Sequence, residues 1–469
     1  MLSQTDIDCA AARKSHGQSA GPLFLRWRGQ SLCRDAANRP NLRQQWTRAD
    51  SAASYASMTE TPEKSDQKYD LAIVGAGPVG TSLAVLAAAR GFSVVLVDAR
   101  DPDTVPPADT RTFAIVRGSW RLLKAVGVTD ALADVIEPLN GLEAVDGGSH
   151  LFGSPGVVFT NDDLPADAAG EPLGQMVPAA ALQAALDDVC GRTGGITWLK
   201  HTFFEGMETG PAGAVLSLSG GRTIRAGLVA ACDGLKSSVR EAVGIPTEGR
   251  DYGQSVFAAN VQLETPHGGI ARQLFTPEGP FATLPMPDNK ANLAWYMKRG
   301  AAETVAALPV DQIEAELNAR FADFAGPMKI VGPVSAYPLV MQLATKLVGP
   351  RAALLGDAAH RINPLAGQGL NLGIKDVGAL IDVMLEARET GLDPGSDVML
   401  ERYQEWRRFD MMNVAMFMDG IDRAFSNDSN LLKPLRGLAL TAANRIGPLR
   451  RAMARQASAD QAHLPSLMR

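Results

Sequence analysis

The stretch Asp70 to Asp98, DLAIVGAGPVGTSLAVLAAARGFSVVLVD, decides how this chain folds. Leu71–Val74 is an apolar run of strand length, Gly75-Ala-Gly77-Pro78-Val-Gly80 is a glycine-rich turn, and an alanine-rich helical segment runs to about Arg90. Ser93–Val97 makes a second strand that ends at Asp98, 18 residues beyond Gly80. In a GxGxxG turn between strand and helix, the first glycine permits the tight turn and the second lets backbone approach a pyrophosphate. The third allows helix to pack on strand, and an acid at the end of the second strand binds ribose hydroxyls. Strand, turn, helix, second strand and terminal acid agree here, so this unit binds an adenine dinucleotide. The 19 uncharged residues Leu71–Ala89 do not form a membrane span, because Gly75, Gly77, Pro78 and Gly80 break them into strand, turn and helix.

Composition sets the frame around this unit. With 469 residues the chain buries a large core and holds two or three domains. It is 46% hydrophobic and 20% charged with a formal net charge of -6, which gives no general basic field for nucleic acid. Cys9, Cys33, Cys190 and Cys232 form no CxxC pair, and six scattered histidines form no HExxH-type pair, so no zinc site is expected. These features fit a reducing, cytoplasmic setting. Residues 1–57 carry eight Lys/Arg against four Asp/Glu without sustained periodicity. They read as a disordered extension, an Arg-rich transit peptide, or sequence upstream of a start at Met58; the first and third readings are favoured.

A plain NAD enzyme would continue with further βα units after Asp98. Instead the chain gives mixed short strands and a helix at Ala179–Cys190. The apolar strand Leu228–Cys232 follows and runs into Asp233-Gly234 and a helix start at Ser237–Arg240. From Gln254 to Lys298 strands alternate with turn clusters such as Pro287–Lys290. A second strand-turn-helix then appears, Leu354–Asp376, LLGDAAHRINPLAGQGLNLGIKD. Here Gly356-Asp357 ends a short strand, and Leu370, Ile374, Val377 and Ile381 recur at helical spacing. Its unpaired N-terminal N–H groups and dipole suit an anionic or polar ligand; on this stretch alone, a β–α turn whose glycines serve packing is the alternative.

The three motifs GAGPVG with Asp98, ACDGLKSSVR (231–240), and LLGDAAHRINPLAGQGLNLGIKD, in this order, resemble the single-component flavoprotein aromatic hydroxylases, the p-hydroxybenzoate hydroxylase-like superfamily. HRINPLAGQGLNLGIKDVGAL is similar to the signature of its ubiquinone-biosynthesis branch, and the resemblance covers residues 69–455. It implies an FAD-dependent ring hydroxylase working through a C4a-hydroperoxyflavin with O2 and NAD(P)H or another donor, acting on a polyprenylated phenol or quinol. No second dinucleotide fingerprint provides a domain for the donor. Gly75, Gly77, Pro78 and Gly80 would hold the FAD pyrophosphate and Asp98 the AMP ribose. Arg111 and Gln175 would lie against the cofactor, although Ala180 stands where the family often has a basic residue. Asp233 with Gly234 and Arg240 would serve FAD and the nicotinamide donor. Gly356 and Asp357 would bind the ribityl and pyrophosphate side, and Pro364, Gly367, Gln368, Gly369, Leu370 and Asn371 would surround the isoalloxazine, with Pro364 near the ring. The helix N-terminus there would favour anionic reduced flavin. No metal is expected.

The fold expected is α/β (α+β mixed), a Rossmann-like FAD-binding domain with an inserted, mostly antiparallel substrate sheet and a C-terminal helical segment. Its bounds are a disordered extension over 1–66, the nucleotide domain over 67–149, 174–250 and 350–392, the substrate sheet over 150–173 and 251–349, and terminal helices over 393–469. His360 reads as a residue shaping the turn, Asp376 as a partner of nearby backbone or an arginine, and Cys232 as a buried small hydrophobe. Phe257, Phe281, Trp295 and Tyr296 read first as core and second as pocket lining. The basic tail Arg423–Arg455 carries an apolar stripe from Leu431 to Met453, split by Pro434 and Pro448. It is expected to pack on the body, with peripheral contact to an anionic membrane or a biosynthetic complex as the alternative. A flavin reductase or oxidase, or a non-catalytic FAD scaffold, is the competing function.

Overall fold

The computed structural model describes residues 68–100, 111–147, 155–164, 170–362, 368–425, 442, 444–457 and 463–469. The expected extension therefore lies outside the described residues, as do Pro364, Gly367 and most of the tail stripe.

The first layer begins with β1 (Lys68–Val74), α1 (Pro78–Ala88) and β2 (Val94–Val97). The chain continues through β3 (Thr112–Val116), α2 (Arg117–Val126), β4 (Glu137–Leu139), β5 (Gly141–Asp146), β6 (Gly156–Thr160), β7 (Gly174–Pro178) and α3 (Ala179–Arg192). Next come β8 (Ile196–Leu199), β9 (Phe204–Gly210), β10 (Gly213–Leu218), β11 (Arg222–Ala231) and α4 (Ser238–Ala242). The second domain adds β12 (Thr247–Leu263), β13 (Ile270–Thr276), β14 (Gly279–Met286), β15 (Lys290–Lys298), α5 (Ala301–Ala306), α6 (Val310–Ala325), β16 (Met328–Ile330) and β17 (Ser335–Ala344). The return to the first layer is β18 (Val348–Gly349), β19 (Ala352–Leu354), β20 (His360–Arg361) and α7 (Gln368–Thr390). Helices α8 (Asp397–Phe425) and α9 (Gly447–Ala457) follow.

The nucleotide sheet runs β18-β19-β11-β1-β2-β8, with the β9–β10 hairpin attached to β11. From β19 to β8 the strands are parallel. Parallel strands covered on both faces need apolar residues throughout. That is why Leu71, Ala72 and Ile73 of β1 and all of β2 are sealed from solvent.

The second sheet runs β20-β17-β12-β15-β14-β13-β5-β6 and is antiparallel except where β13 meets β5. Strand β5, placed by the sequence reading with the nucleotide domain, belongs to this sheet, because its backbone pairs with residues about 130 positions later. One sheet face is closed by α5 and α6. Phe257, Phe281 and Trp295 pack there with Phe321, and the Phe281 and Phe321 rings stack at 3.8 Å. Tyr296 lies on the opposite face with Val256 and Leu339, beside Tyr252 and Tyr337. A small third sheet has the order β3-β7-β4. Pro448 stands at the start of α9, where a missing N–H costs nothing. Met453 and Ala454 of this helix pack against β6 and its neighbours.

Candidate functional site

Strand β1 delivers the fingerprint turn into a cleft of about 610 Å³ lined by Gly75, Gly77, Pro78, Asp98, Arg111 and Asp233, among others. The three glycines have separate duties. Gly75 has φ +103, and a side chain there would strike the Cys232 carbonyl. A Cβ on Gly80 would fall 1.9 Å from the Gly75 carbonyl oxygen, so this glycine lets α1 close on the turn. A Cβ on Gly77 would meet nothing within 4 Å. Its missing side chain is open space at the N-terminus of α1, where Pro78 takes the first helical position and unpaired N–H groups favour an anion.

Asp98 ends β2 beside this turn. Its carboxylate accepts the Ala76 N–H and, at 2.5 Å, the Arg100 N–H, leaving lone pairs for ribose hydroxyls. Helix α3 forms the opposite wall, where Ala180 and Ala184 keep the space open and Gln183 and Asp187 add polar groups. Ala180 supplies no cation. The cleft's described cations are Arg100 and Arg111. Arg100, Gln183 and Asp187 escaped the sequence reading; the available signals were a cation two residues beyond Asp98 and a polar i, i+4 pair on α3.

The DG turn brings Asp233 and Gly234 into the same cleft. Asp233 Oδ2 accepts the Val239 N–H at 3.1 Å, while Oδ1 is buried without a donor among the described residues. Burial pushes this carboxyl up, only partly offset by hydrogen bonds from Ser237 and the N–H groups at the start of α4. Arg240, expected beside the dinucleotides, is 5% exposed and points elsewhere. Its guanidinium donates to the carbonyls of Ala358 and Leu235, both at 3.0 Å, and so ties the DG turn to the GD turn. Positioning is its observed work.

The GD turn follows β19. Gly356 adopts φ +57 and lies against Val79 of α1, and Gly373 of α7 packs on the same side chain. The fingerprint helix and the glycine-rich helix are thereby held together. The Asp357 side chain is exposed at this turn. Behind the turn is a sealed polar cluster. Asp376 accepts the Gly356 N–H at 2.9 Å, His360 Nε2 at 2.7 Å and Arg407 Nε at 2.7 Å. Arg407 also bonds Asp410, which pairs with Lys375 at 2.8 Å. His360 and Asp376 therefore shape the turn and partner an arginine, as their sequence context suggested.

Asn371 departs from expectation in one respect. Its side chain accepts the Val116 N–H at 3.1 Å and donates to the Ala114 carbonyl at 2.8 Å, capping the free edge of β3. Gly369 has open space where a Cβ would stand. Gln175 lies on β7 opposite Ile115, with a buried Oε1 that has no donor among the described residues. Arg111 stands at the start of β3 and lines the cleft.

These observations fit a dinucleotide with a polar second ring system. The space at Gly77 suits a pyrophosphate, Asp98 a ribose, and the buried acceptors of Asp233 and Gln175 lack donors that a cofactor would bring. A family model described as FAD binding domain matches residues 68–417. The chain belongs to that family. It is 38% identical over 394 residues to the ubiquinone hydroxylase UbiL of Rhodospirillum rubrum, covering 84% of this chain and 90% of that protein. It is 37% identical over 397 residues to the 3-demethoxyubiquinol 3-hydroxylase of Escherichia coli, covering 82% and 97%. In fold it matches the p-nitrophenol 4-monooxygenase PnpA of Pseudomonas putida with a TM-score of 0.69 at 17% identity, over 85% of this chain and 100% of that one. The protein is an FAD-dependent flavoprotein monooxygenase of the p-hydroxybenzoate hydroxylase-like type.

Proposed function

We propose that the protein hydroxylates the ring of a polyprenylated phenol in ubiquinone biosynthesis, using O2 and NAD(P)H or another reduced donor. The observation that carries this reading is the join between the cofactor cleft and the face of the second sheet opposite α5 and α6. Arg111 lines the cleft, and the hydroxyl of the next residue, Thr112, lies 3.9 Å from Met286 Sδ at the end of β14 in the second sheet. Tyr337, Val256 and Tyr296 stand side by side across three strands. An apolar face carrying two phenols next to the cofactor suits an aromatic ring with a hydrocarbon tail.

Bound FAD supplies the oxygen activation, and the chain supplies place and surroundings. The N–H groups of the Gly75–Gly80 turn would hold the pyrophosphate, Asp98 the AMP ribose, and Asp357 the ribityl side. Arg111, Gln175, Asp233 and the Pro364–Asn371 segment would border the flavin. The Val256–Tyr296–Leu339 face would exclude water from the reacting ring. A lipid-tailed substrate also suits peripheral contact with a membrane surface; exposed Phe409 and Met412 on α8 support this. Among the described residues, no helix is long and apolar enough to cross a membrane.

The test is direct. The purified flavoprotein is given NAD(P)H, O2 and short-chain prenylphenols, and products are followed by mass spectrometry with labelled O2. One labelled oxygen on the ring is the expected result. Flavin reduction and oxygen uptake without ring labelling for any prenylphenol would refute the assignment.

A further inference from the structure

The Ala76 peptide sits inside the fingerprint turn and is held from outside at both ends. Its N–H donates to Asp98, and its carbonyl accepts from Arg100 Nη2 at 2.9 Å and Gln183 Nε2 at 3.0 Å. Both donors share one more partner. Asp187 takes the Arg100 fork through two hydrogen bonds, at 2.7 and 3.0 Å, and takes Gln183 Nε2 at 2.7 Å. Gln183 and Asp187 are one turn apart on α3. Arg100 also presents its own N–H to Asp98, so a single residue touches both the ribose acid and the turn.

We propose that Asp187 is a positioning residue for the adenosine half of FAD: it holds Arg100 and Gln183 on the Ala76 carbonyl and so fixes the fingerprint turn and Asp98 for binding. Arg100 is the fork that conveys this order. A planar, bidentate pair fixes direction as well as distance. The energy of fixing the turn is then spent in folding rather than at binding.

Simple charge counting predicts the reverse. Asp98, Asp187 and Asp233 line the cleft against Arg100 and Arg111, and the cofactor brings a pyrophosphate dianion. Deleting one carboxylate should tighten binding if Asp187 acted only through its charge. The positioning role requires weaker binding.

Asp187→Asn and Arg100→Lys proteins, freed of flavin, are titrated calorimetrically with FAD and, separately, with ADP, and their melting temperatures are recorded. Both variants are expected to bind FAD and ADP more weakly by on the order of tenfold, by the same factor for each ligand, with native melting behaviour. Should Asp187→Asn fail to fold, Gln183→Ala, which removes one donor from the same carbonyl, carries the same expectation. Unchanged or tighter FAD binding by the folded variant overturns the proposal. So does weaker FAD binding with ADP affinity intact, because the residue would then act on the flavin half. Neither readout depends on which phenol is hydroxylated.

Discussion

Arg407 and Asp376 meet at 2.7 Å with the arginine side chain fully sealed and the aspartate 1% exposed. Helix α8 thus drives a guanidinium through the core to the residue that also holds Gly356 and His360. Replacing Arg407 by Met leaves a buried carboxylate without its cation, and is expected to cost about 3–5 kcal/mol. Denaturant unfolding of the variant checks this; a loss within experimental error would show that the cluster re-pairs through His360 alone.

The same carboxylate gives a pH dependence. Burial alone would raise it, but the charges of His360 and Arg407, with the His360 and Gly356 hydrogen bonds, hold it below the ordinary range. A depressed native value contributes stability that is full above about pH 4, the unfolded value, and lost as pH falls below it. Melting temperature should therefore drop on acidification, and the drop should be shallower in Asp376→Asn.

Asp233 has the opposite sign. Its carboxyl is raised by burial, so ionising it costs the flavin-free protein stability as pH rises. Asp233→Asn is expected to melt higher than wild type near pH 7 without FAD and to lose that margin below about pH 4. Its FAD affinity should fall. Calorimetric scans at the two pH values decide the matter.

Two glycine substitutions should separate folding from binding. Gly80→Ala places a methyl 1.9 Å from the Gly75 carbonyl and is expected to misfold the turn. Gly77→Ala meets open space at a φ of -71 that alanine adopts readily. It should fold with native melting behaviour yet fail to retain flavin, because the methyl occupies the approach of the pyrophosphate. A yellow Gly77→Ala protein would contradict that role.

Asn371→Leu removes the amide that caps the β3 edge and leaves the Val116 N–H and Ala114 carbonyl unpaired. The expected loss is about 1–3 kcal/mol of stability, measured by urea unfolding.

What could be read from the chain was what neighbours in sequence determine. The fingerprint turn, Asp98 and the GD turn each sit within one strand-turn-helix, where apolar runs and glycines suffice. Even Asp376 could be read as a partner for backbone or an arginine, but nothing marked Arg407, 31 residues later on an ordinary-looking helix. Strand β5 joined the second sheet by a parallel pairing that its own six residues do not encode. Arg100 looked like a loop residue because its acidic partner, Asp187, lies 87 positions away. The two faces of the second sheet required register: only the pairing of Val256 with both Tyr296 and Tyr337 separates the phenols from the Phe257–Trp295 core.

That register has a mechanical consequence. Strand β12 runs unbroken for 17 residues, pairing first with the far end of β17 and then, beyond a register shift between Asp251 and Ser255, with its near end. The far end of β17 is also bonded to β20, through Gln342 with Arg361 and Leu343 with His360. The residues leaving the GD turn are thus stitched into the sheet that would carry the substrate. The ladder of β12 with β17 is interrupted at the register shift between Asp251 and Ser255, so the part of β17 that pairs with β20 is held to β12 by its own set of pairs, Thr247 to Asp251. A displacement of β17 would in this way reach His360 and Arg361 directly through the backbone ladder, without any loop acting as a messenger.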